Sequence, residues 1–123
     1  MVLNNVYNKR KFTITNDKIN YLITFLKACP SYDISIVFSN ENNRKYISNH
    51  ECDRIVLAIK YMLKNHSVYD FNVNGVIVPI FDPNLNDDKN LQYTPSPMSD
   101  GNKHFLECLI KFLRESKLIE IIK

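Results

Sequence analysis

The alternation of apolar and polar residues is clearest between Tyr69 and Phe81, where it predicts a β-hairpin. Asn74-Gly75, at its centre, is the favoured pair for a two-residue type I′ turn because both positions require a positive φ. One face of the hairpin is then fully apolar and carries Tyr69, Phe71, Val73, Val76, Val78 and Ile80. The other face is mixed and carries Asp70, Asn72, Ile77, Pro79 and Phe81. We expect the fully apolar face to lie against the core.

Before the hairpin, the pattern predicts two further strand-and-helix units. The first is a strand over Val6–Thr15, followed by a helix that ends near Ala28, ahead of Pro30. Tyr32–Ser39 and Arg44–Ser48 are predicted as two strands joined by a polar turn. A second helix begins at Ser48, because Ser48 and Glu51 have the three-residue spacing of a capping box.

After the hairpin, the sequence from Asp82 to Gly101 reads as a long loop, which is unusual inside a compact domain. A last helix is predicted from about Asp100, and the closing residues KLIEIIK either extend it or form a short strand. The order β-α-β-β-α-β-β-α predicts one α+β domain over residues 1–123, with helices packed on a single antiparallel sheet. A ferredoxin-like sandwich and a roadblock- or profilin-like sheet are both compatible with this order.

Composition places the chain among ordinary globular proteins. It has 123 residues, of which 45% are hydrophobic and 24% are charged, with a formal net charge of +3. The three cysteines, odd in number and widely spaced, indicate free thiols and a reducing compartment. No apolar run reaches transmembrane length, and the first residues lack the apolar segment of a signal peptide. We therefore expect a cytoplasmic protein, with the nucleus as an alternative, and no association with membranes.

Residue usage indicates where the chain comes from. Asn, Lys, Ile, Tyr and Phe are abundant, whereas the only alanines are Ala28 and Ala58 and the only glycines are Gly75 and Gly101. The abundant residues have AT-rich codons and the rare ones have GC-rich codons. We infer an AT-rich genome, such as that of a virus, a phage or a plasmid.

The sequence offers little catalytic chemistry. Two glycines are too few for a glycine-rich phosphate cradle, and no nucleophile motif is present. One arrangement with metal-binding chemistry consists of His50, Cys52, His104 and Cys108. Its spacing matches no standard zinc finger, and Cys52 and Cys108 fall on apolar helix faces, where a thiol acts as a small hydrophobe. We therefore predict no enzyme activity, no cofactor and no metal.

Protein binding is the function that the pattern favours. Pro79 cannot donate a hydrogen bond within a sheet, so the strand that contains it is predicted at an edge, where a partner strand could pair. The closing segment has more apolar residues than one narrow helix face can bury. The predicted contact residues for a host or own-machinery protein, or a second copy, are Ile77, Pro79, Phe81, Leu85, Leu118 and Ile119.

Nucleic-acid binding in replication or transcription is the alternative. Basic residues interspersed with aromatics on a sheet can form a platform for single strands. Here the candidates lie on two strands expected to be neighbours, with Tyr46 beside them, and they are Lys9, Arg10, Lys11, Arg44 and Lys45. The net charge of +3 is too small to imply nucleic acid by itself.

Overall fold

A computed structural model describes residues 1–29, 35–39, 43–81 and 96–123. Within these ranges the α-helices are α1 (Asn16–Lys27), α2 (Asn49–Asn65) and α3 (Asp100–Arg114). The strands are β1 (Val2–Asn5), β2 (Lys11–Thr13), β3 (Tyr46–Ser48), β4 (Val68–Val73), β5 (Val76–Phe81), β6 (Ser96–Pro97) and β7 (Leu118–Ile122). A 3-10 helix covers Ser35–Phe38.

The strands form two antiparallel sheets rather than the predicted single sheet. The four-stranded sheet has the order β2-β1-β7-β3, and the three-stranded sheet has the order β5-β4-β6. β1 pairs with β7, so the two ends of the chain meet in the middle of the four-stranded sheet. The α+β class is confirmed, but the single sheet and the exact element order are not, since the described strands form two sheets.

Several predicted elements differ from those in the structure. The strand expected over Val6–Thr15 is confined to β2, because the residues between Asn5 and Lys11 form the turn of the β1–β2 hairpin, with Lys9 at φ 63°. The strand expected over Tyr32–Ser39 lies partly outside the described residues, and its described part is mainly the 3-10 helix. Residues 82–95 of the expected loop also lie outside the described residues. Residues 96–97 form β6, and α3 begins at Asp100. The closing residues form β7, one of the two open alternatives.

The core lies between the four-stranded sheet and the helices. Leu3, Ile47 and Ile119 lie on the inner face of this sheet and are fully buried. The predicted capping box of α2 is present, with both the Ser48 and the Glu51 side chains bonded to the opposite backbone N–H. Burial works to raise the pKa of Glu51, but the hydrogen bonds from Ser48 and the ion pair with Arg44 outweigh it and keep that pKa below its usual value.

All three helices have one apolar and one polar face. The longest, α2, has 17 residues and buries Cys52, Ile55, Ile59 and Met62 on its inner side. Its outer side is polar apart from Leu57 and Tyr61. Among the described residues, no helix combines the length and the apolar character needed to cross a membrane.

Candidate functional site

The β4–β5 hairpin has the turn that its sequence predicts. Asn74 and Gly75 have φ values of 53° and 85°, which is the type I′ geometry. The Asn72 side chain stabilises the turn, since its Oδ1 accepts a hydrogen bond of 2.8 Å from the Gly75 N–H. Val73 pairs with Val76 and Tyr69 with Ile80, which is the predicted register.

The orientation of the hairpin is the reverse of the prediction. The mixed face lies against the body of the protein, and the fully apolar face points outward. Pro79 is buried, and the ring of Phe81 packs edge-on against Phe25 of α1 with a centroid distance of 4.8 Å. The end of the mixed face that lies farthest from the turn is therefore apolar and packs against the core.

Asp70 fixes this orientation, because it faces inward from β4 and accepts three hydrogen bonds. Its Oδ1 accepts from the Tyr21 hydroxyl at 2.8 Å. Its Oδ2 accepts from the Ser99 N–H at 2.8 Å and from the Asn102 side-chain amide at 2.9 Å. Ser99 is the N-cap of α3, so one carboxylate joins the hairpin to α1 and to the start of α3. Turning the apolar face inward would leave these donors without their partner.

Tyr21 is a structural donor in this network. It is 2% exposed, and burial together with the hydrogen bond to Asp70 raises the pKa of its hydroxyl far above the usual value. The hydroxyl therefore keeps its proton and remains available to donate to the carboxylate. A group held in this way does not act as a base or a nucleophile at neutral pH.

The outward face of the hairpin, called here the outer hairpin face, is an apolar surface that the orientation leaves outside the core. It consists of Tyr69, Phe71, Val73, Val76, Val78 and Ile80, none of which is buried. Val73 is 42% exposed and Val76 is 52% exposed. The other four residues of this face are half-buried. Contiguous apolar residues that remain exposed, as Val73 and Val76 do, mark interaction surfaces.

The free edge of β5 is less suited to pairing than the sequence suggested. β5 is an edge strand, as predicted. In a two-residue hairpin the residues next to the turn form a hydrogen-bonded pair, so the N–H groups of Val76, Val78 and Ile80 point toward β4. Position 79 points toward the free edge, where proline offers no donor. Pro79 therefore interrupts the edge against a partner strand.

A cleft of about 630 Å³, called here the tip cleft, lies beside the turn of the hairpin. One side is formed by Asp17, Lys18 and Tyr21 of α1, together with Ser99 and Asn102 near the start of α3. The other side is formed by the hairpin residues Asp70, Phe71, Asn72, Gly75, Val76 and Ile77. A volume of this size falls within the range of sites that bind small ligands or single side chains.

Most polar groups of the tip cleft are bonded to one another. The ammonium group of Lys18 donates to the Asn102 Oδ1 and lies 5.8 Å from the centre of the Phe105 ring. Asn102 in turn donates to Asp70. This chain of bonds leaves Lys18, Asp70 and Tyr21 in structural positions. The arrangement is suited to binding rather than to proton transfer or nucleophilic attack.

The predicted protein contacts do not form one surface. Ile77 is 40% exposed and lines the tip cleft, whereas Pro79 is buried and Phe81 packs on Phe25. Leu118 and Ile119 lie in the other sheet, and Ile119 is fully buried, so it cannot touch a partner. Leu85 lies outside the described residues. Of the predicted set, Ile77 is the residue that the structure leaves both exposed and close to the outer hairpin face.

The predicted nucleic-acid residues lie at opposite edges of the four-stranded sheet. Lys9, Arg10 and Lys11 belong to β2 and its turn, and Arg44 and Lys45 precede β3. Three strand spacings, about 14 Å, separate these edges, so the strands are not neighbours as expected. Both arginines have acidic partners, since Arg10 is 3.2 Å from a Glu115 carboxylate oxygen and Arg44 is paired with Glu51.

The residues considered for a metal are not brought together. His104 Nε2 lies 3.4 Å from the Cys108 Sγ on α3, but no group of three or more ligands forms in the part of the chain that the structure covers. His50 accepts a hydrogen bond from Arg54 on α2. Burial, with a smaller contribution from Asp53, raises the pKa of the Cys52 thiol to about 11. Cys52 is thus a core residue, as its helical position indicated.

The sequence signals for the outer hairpin face and for the tip cleft were of unequal strength. The alternation of apolar and polar residues identifies the members of the outer hairpin face, but it does not show whether this face points inward or outward. Lys18 and Asn102 gave no signal, because each is a common polar residue on a predicted helix and their contact joins positions far apart in the chain. No protein-family model, curated protein or solved structure matches this chain.

Proposed function

We propose that this protein is a protein-binding accessory factor and that the outer hairpin face is its binding surface. The observation that carries the proposal is the outward orientation of the fully apolar side of the β4–β5 hairpin. Asp70 and Phe81 hold the opposite side against the body, so the apolar side is presented by a fixed scaffold. Binding requires no catalytic group, and most of the polar groups beside the hairpin are already bonded to one another.

The face favours side-chain packing over strand addition. Its exposed end, Val73 and Val76, is uncharged and lies next to a rigid turn. Pro79 interrupts the free edge of β5, which disfavours a continuous sheet with a partner. We propose an apolar segment of another protein as the partner, from the host or from the protein's own machinery. A second copy of this chain is the other outcome that the experiment below distinguishes.

Replacing Val76 with glutamate is expected to weaken partner binding by at least tenfold, because a carboxylate at the centre of an apolar contact loses its hydration without gaining a partner. The tagged protein is first used to isolate a stoichiometric partner from its native cells in the presence of nuclease. Affinity is then measured with the purified partner by calorimetry. Light scattering of the protein alone reports whether it pairs with itself.

Leu57→Glu is the matched control, since Leu57 is 66% exposed on α2, away from the hairpin. It should bind as the wild-type protein does, and both variants should keep the wild-type circular dichroism spectrum. Equal loss of binding in the two variants, or full binding by a folded Val76→Glu variant, would contradict the proposed surface. The proposed surface would also be contradicted if no stoichiometric partner were isolated and light scattering showed that the protein alone is a monomer.

Nucleic-acid binding is the second candidate, and one observation favours it. Lys11 and Tyr46 lie in the same row across the outer side of the four-stranded sheet, and Lys9 and Lys45 are exposed near its edges. Glu120 stands in the middle of that row and opposes it. The double variant Lys9→Glu/Lys11→Glu should then lose affinity for a single-stranded oligonucleotide and show a shallower salt dependence. Fluorescence anisotropy at two salt concentrations measures both quantities, and unchanged binding would exclude this site.

The origin inferred from residue usage completes the proposal. A small binding factor of a virus, a phage or a plasmid, working in the cytoplasm or nucleus of its host, fits a chain with free cysteines and no recognisable catalytic motif. Isolation of the partner tests this as well, because its identity reveals the host and the compartment.

A further inference from the structure

We propose that the tip cleft binds a guanidinium group, and specifically an arginine side chain of the segment that packs on the outer hairpin face. This inference rests on the proposed function for its biological meaning, because it names the chemistry of the same partner. Its physical basis is separate, and lies in the charges, the hydrogen-bond inventory and the walls of the cleft.

The unmatched charge in the tip cleft is negative. Its charged side chains are Asp17, Asp70 and Lys18. The Lys18 ammonium is held by Asn102 and lies near the Phe105 ring, and Asp70 is bonded to the start of α3. Asp17 is exposed and forms no ion pair with any residue in the described ranges. A cation that enters the cleft would therefore meet one carboxylate that still lacks a partner.

The hydrogen-bond inventory favours a donor-rich ligand. A carboxylate oxygen has two lone pairs, and within the described part of the chain Oδ1 of Asp70 accepts only from Tyr21. The side-chain oxygen of Asn72 likewise accepts only from the Gly75 N–H. Asp17 adds two further acceptor oxygens at the opposite wall. Guanidinium carries five N–H donors in one plane and can reach several acceptors at once, whereas an ammonium group offers three donors from a single point.

The remaining walls match the rest of an arginine side chain. Ile77, on the inward face of the hairpin, provides an apolar side against which the three methylene groups can pack, and Phe71 and Val76 border the cleft beside it. The side chains of Phe71 and Val76 belong to the outer hairpin face, so the cleft adjoins the proposed binding surface at the tip of the hairpin. A segment that covers that face could therefore place one side chain in the cleft. Arginine in such a position is a frequent energetic anchor of protein interfaces.

The inference is tested with N-acetyl-arginine N-methylamide, titrated into the ¹⁵N-labelled full chain. We expect saturable chemical-shift changes at the amides of Asp17, Lys18 and Asn72, with a dissociation constant on the order of millimolar for so small a ligand. Asp17→Asn should weaken this binding by about fivefold to tenfold, since it removes a charge-assisted partner. N-acetyl-norleucine N-methylamide, which has a similar stem without the cation, should not saturate.

Asp53→Asn is the matched control, because it removes the same charge from an exposed position on α2. It should leave the titration unchanged. No saturable shift with the arginine compound, equal binding by the Asp17→Asn variant, or saturation of the same amides by inorganic phosphate would overturn the inference. The titration is made on the protein without its partner and uses no variant of the outer hairpin face, so its failure is distinguishable from failure of the partner-binding test.

Discussion

Replacing Asp70 with alanine is expected to lower the free energy of unfolding by about 3 kcal/mol, because it removes the acceptor of three hydrogen bonds at once. Two of the donors belong to side chains that water reaches poorly, since Tyr21 is 2% exposed and Asn102 is 5% exposed. Their hydroxyl and amide groups would be left buried without a partner. Urea unfolding followed by circular dichroism measures the loss.

Two further variants separate the hydrogen bonds of Asp70 from its charge. Asp70→Asn keeps the shape of the side chain and one acceptor oxygen, so we expect an intermediate loss. Asp53→Ala removes an exposed carboxylate from α2, beyond its first turn, and should change the free energy of unfolding by less than about 0.5 kcal/mol. An Asp70→Ala variant within that same margin of the wild type would show that the carboxylate does not hold the hairpin in place.

The role of Asp70 explains why the turn could be predicted and the orientation of the hairpin could not. A type I′ turn depends on two adjacent residues, and Asn74-Gly75 specifies it locally. The direction of the hairpin depends on what its two faces meet elsewhere. The donors to Asp70 come from Tyr21 and from the start of α3. These residues are far from Asp70 in the sequence, so no local pattern indicates that they contact it.

The same difference between local and long-range contacts explains why the helices could be predicted and the pairing of the strands could not. The helices could be placed because caps and apolar spacing are local, as at Ser48 and Glu51. The pairing of β1 with β7 joins the first residues to the last, and β3 pairs with β7 rather than with the segment before it. Strand pairing of this kind depends on tertiary packing, so alternation alone could propose candidate strands but could neither find the short ones nor assign them to two sheets.

One part of the candidate site depends on local sequence, and the other depends on contacts between distant residues. Its apolar face was fully predictable as a set of residues, because side chains alternate along a strand. The tip cleft was not, since it forms where α1, α3 and the hairpin tip come together. Pro79 has one property that its residue type predicts and one that depends on tertiary packing. Its edge position follows from the missing N–H, whereas its burial follows from the unpredicted orientation.

The second large effect is expected at Phe25, where replacement by alanine should lower the free energy of unfolding by about 3–5 kcal/mol. Phe25 is fully buried in α1, and its ring lies edge-on to Phe81 and 6.3 Å from the ring of Tyr21. The cavity left by the ring opens between α1 and the base of the hairpin. Urea unfolding gives the overall loss, and hydrogen exchange of the β5 amides should accelerate.

A double-mutant cycle with Phe81→Ala distinguishes a general cavity from a specific anchor for the hairpin. If the two rings stabilise each other, the double variant should lose about 0.5–1.5 kcal/mol less than the sum of the single losses. Tyr7→Ala serves as the control, because Tyr7 is 71% exposed and its removal should leave stability nearly unchanged. Additive losses at Phe25 and Phe81 would mean that Asp70 alone orients the hairpin, whereas coupling would divide that role between one carboxylate and one aromatic pair.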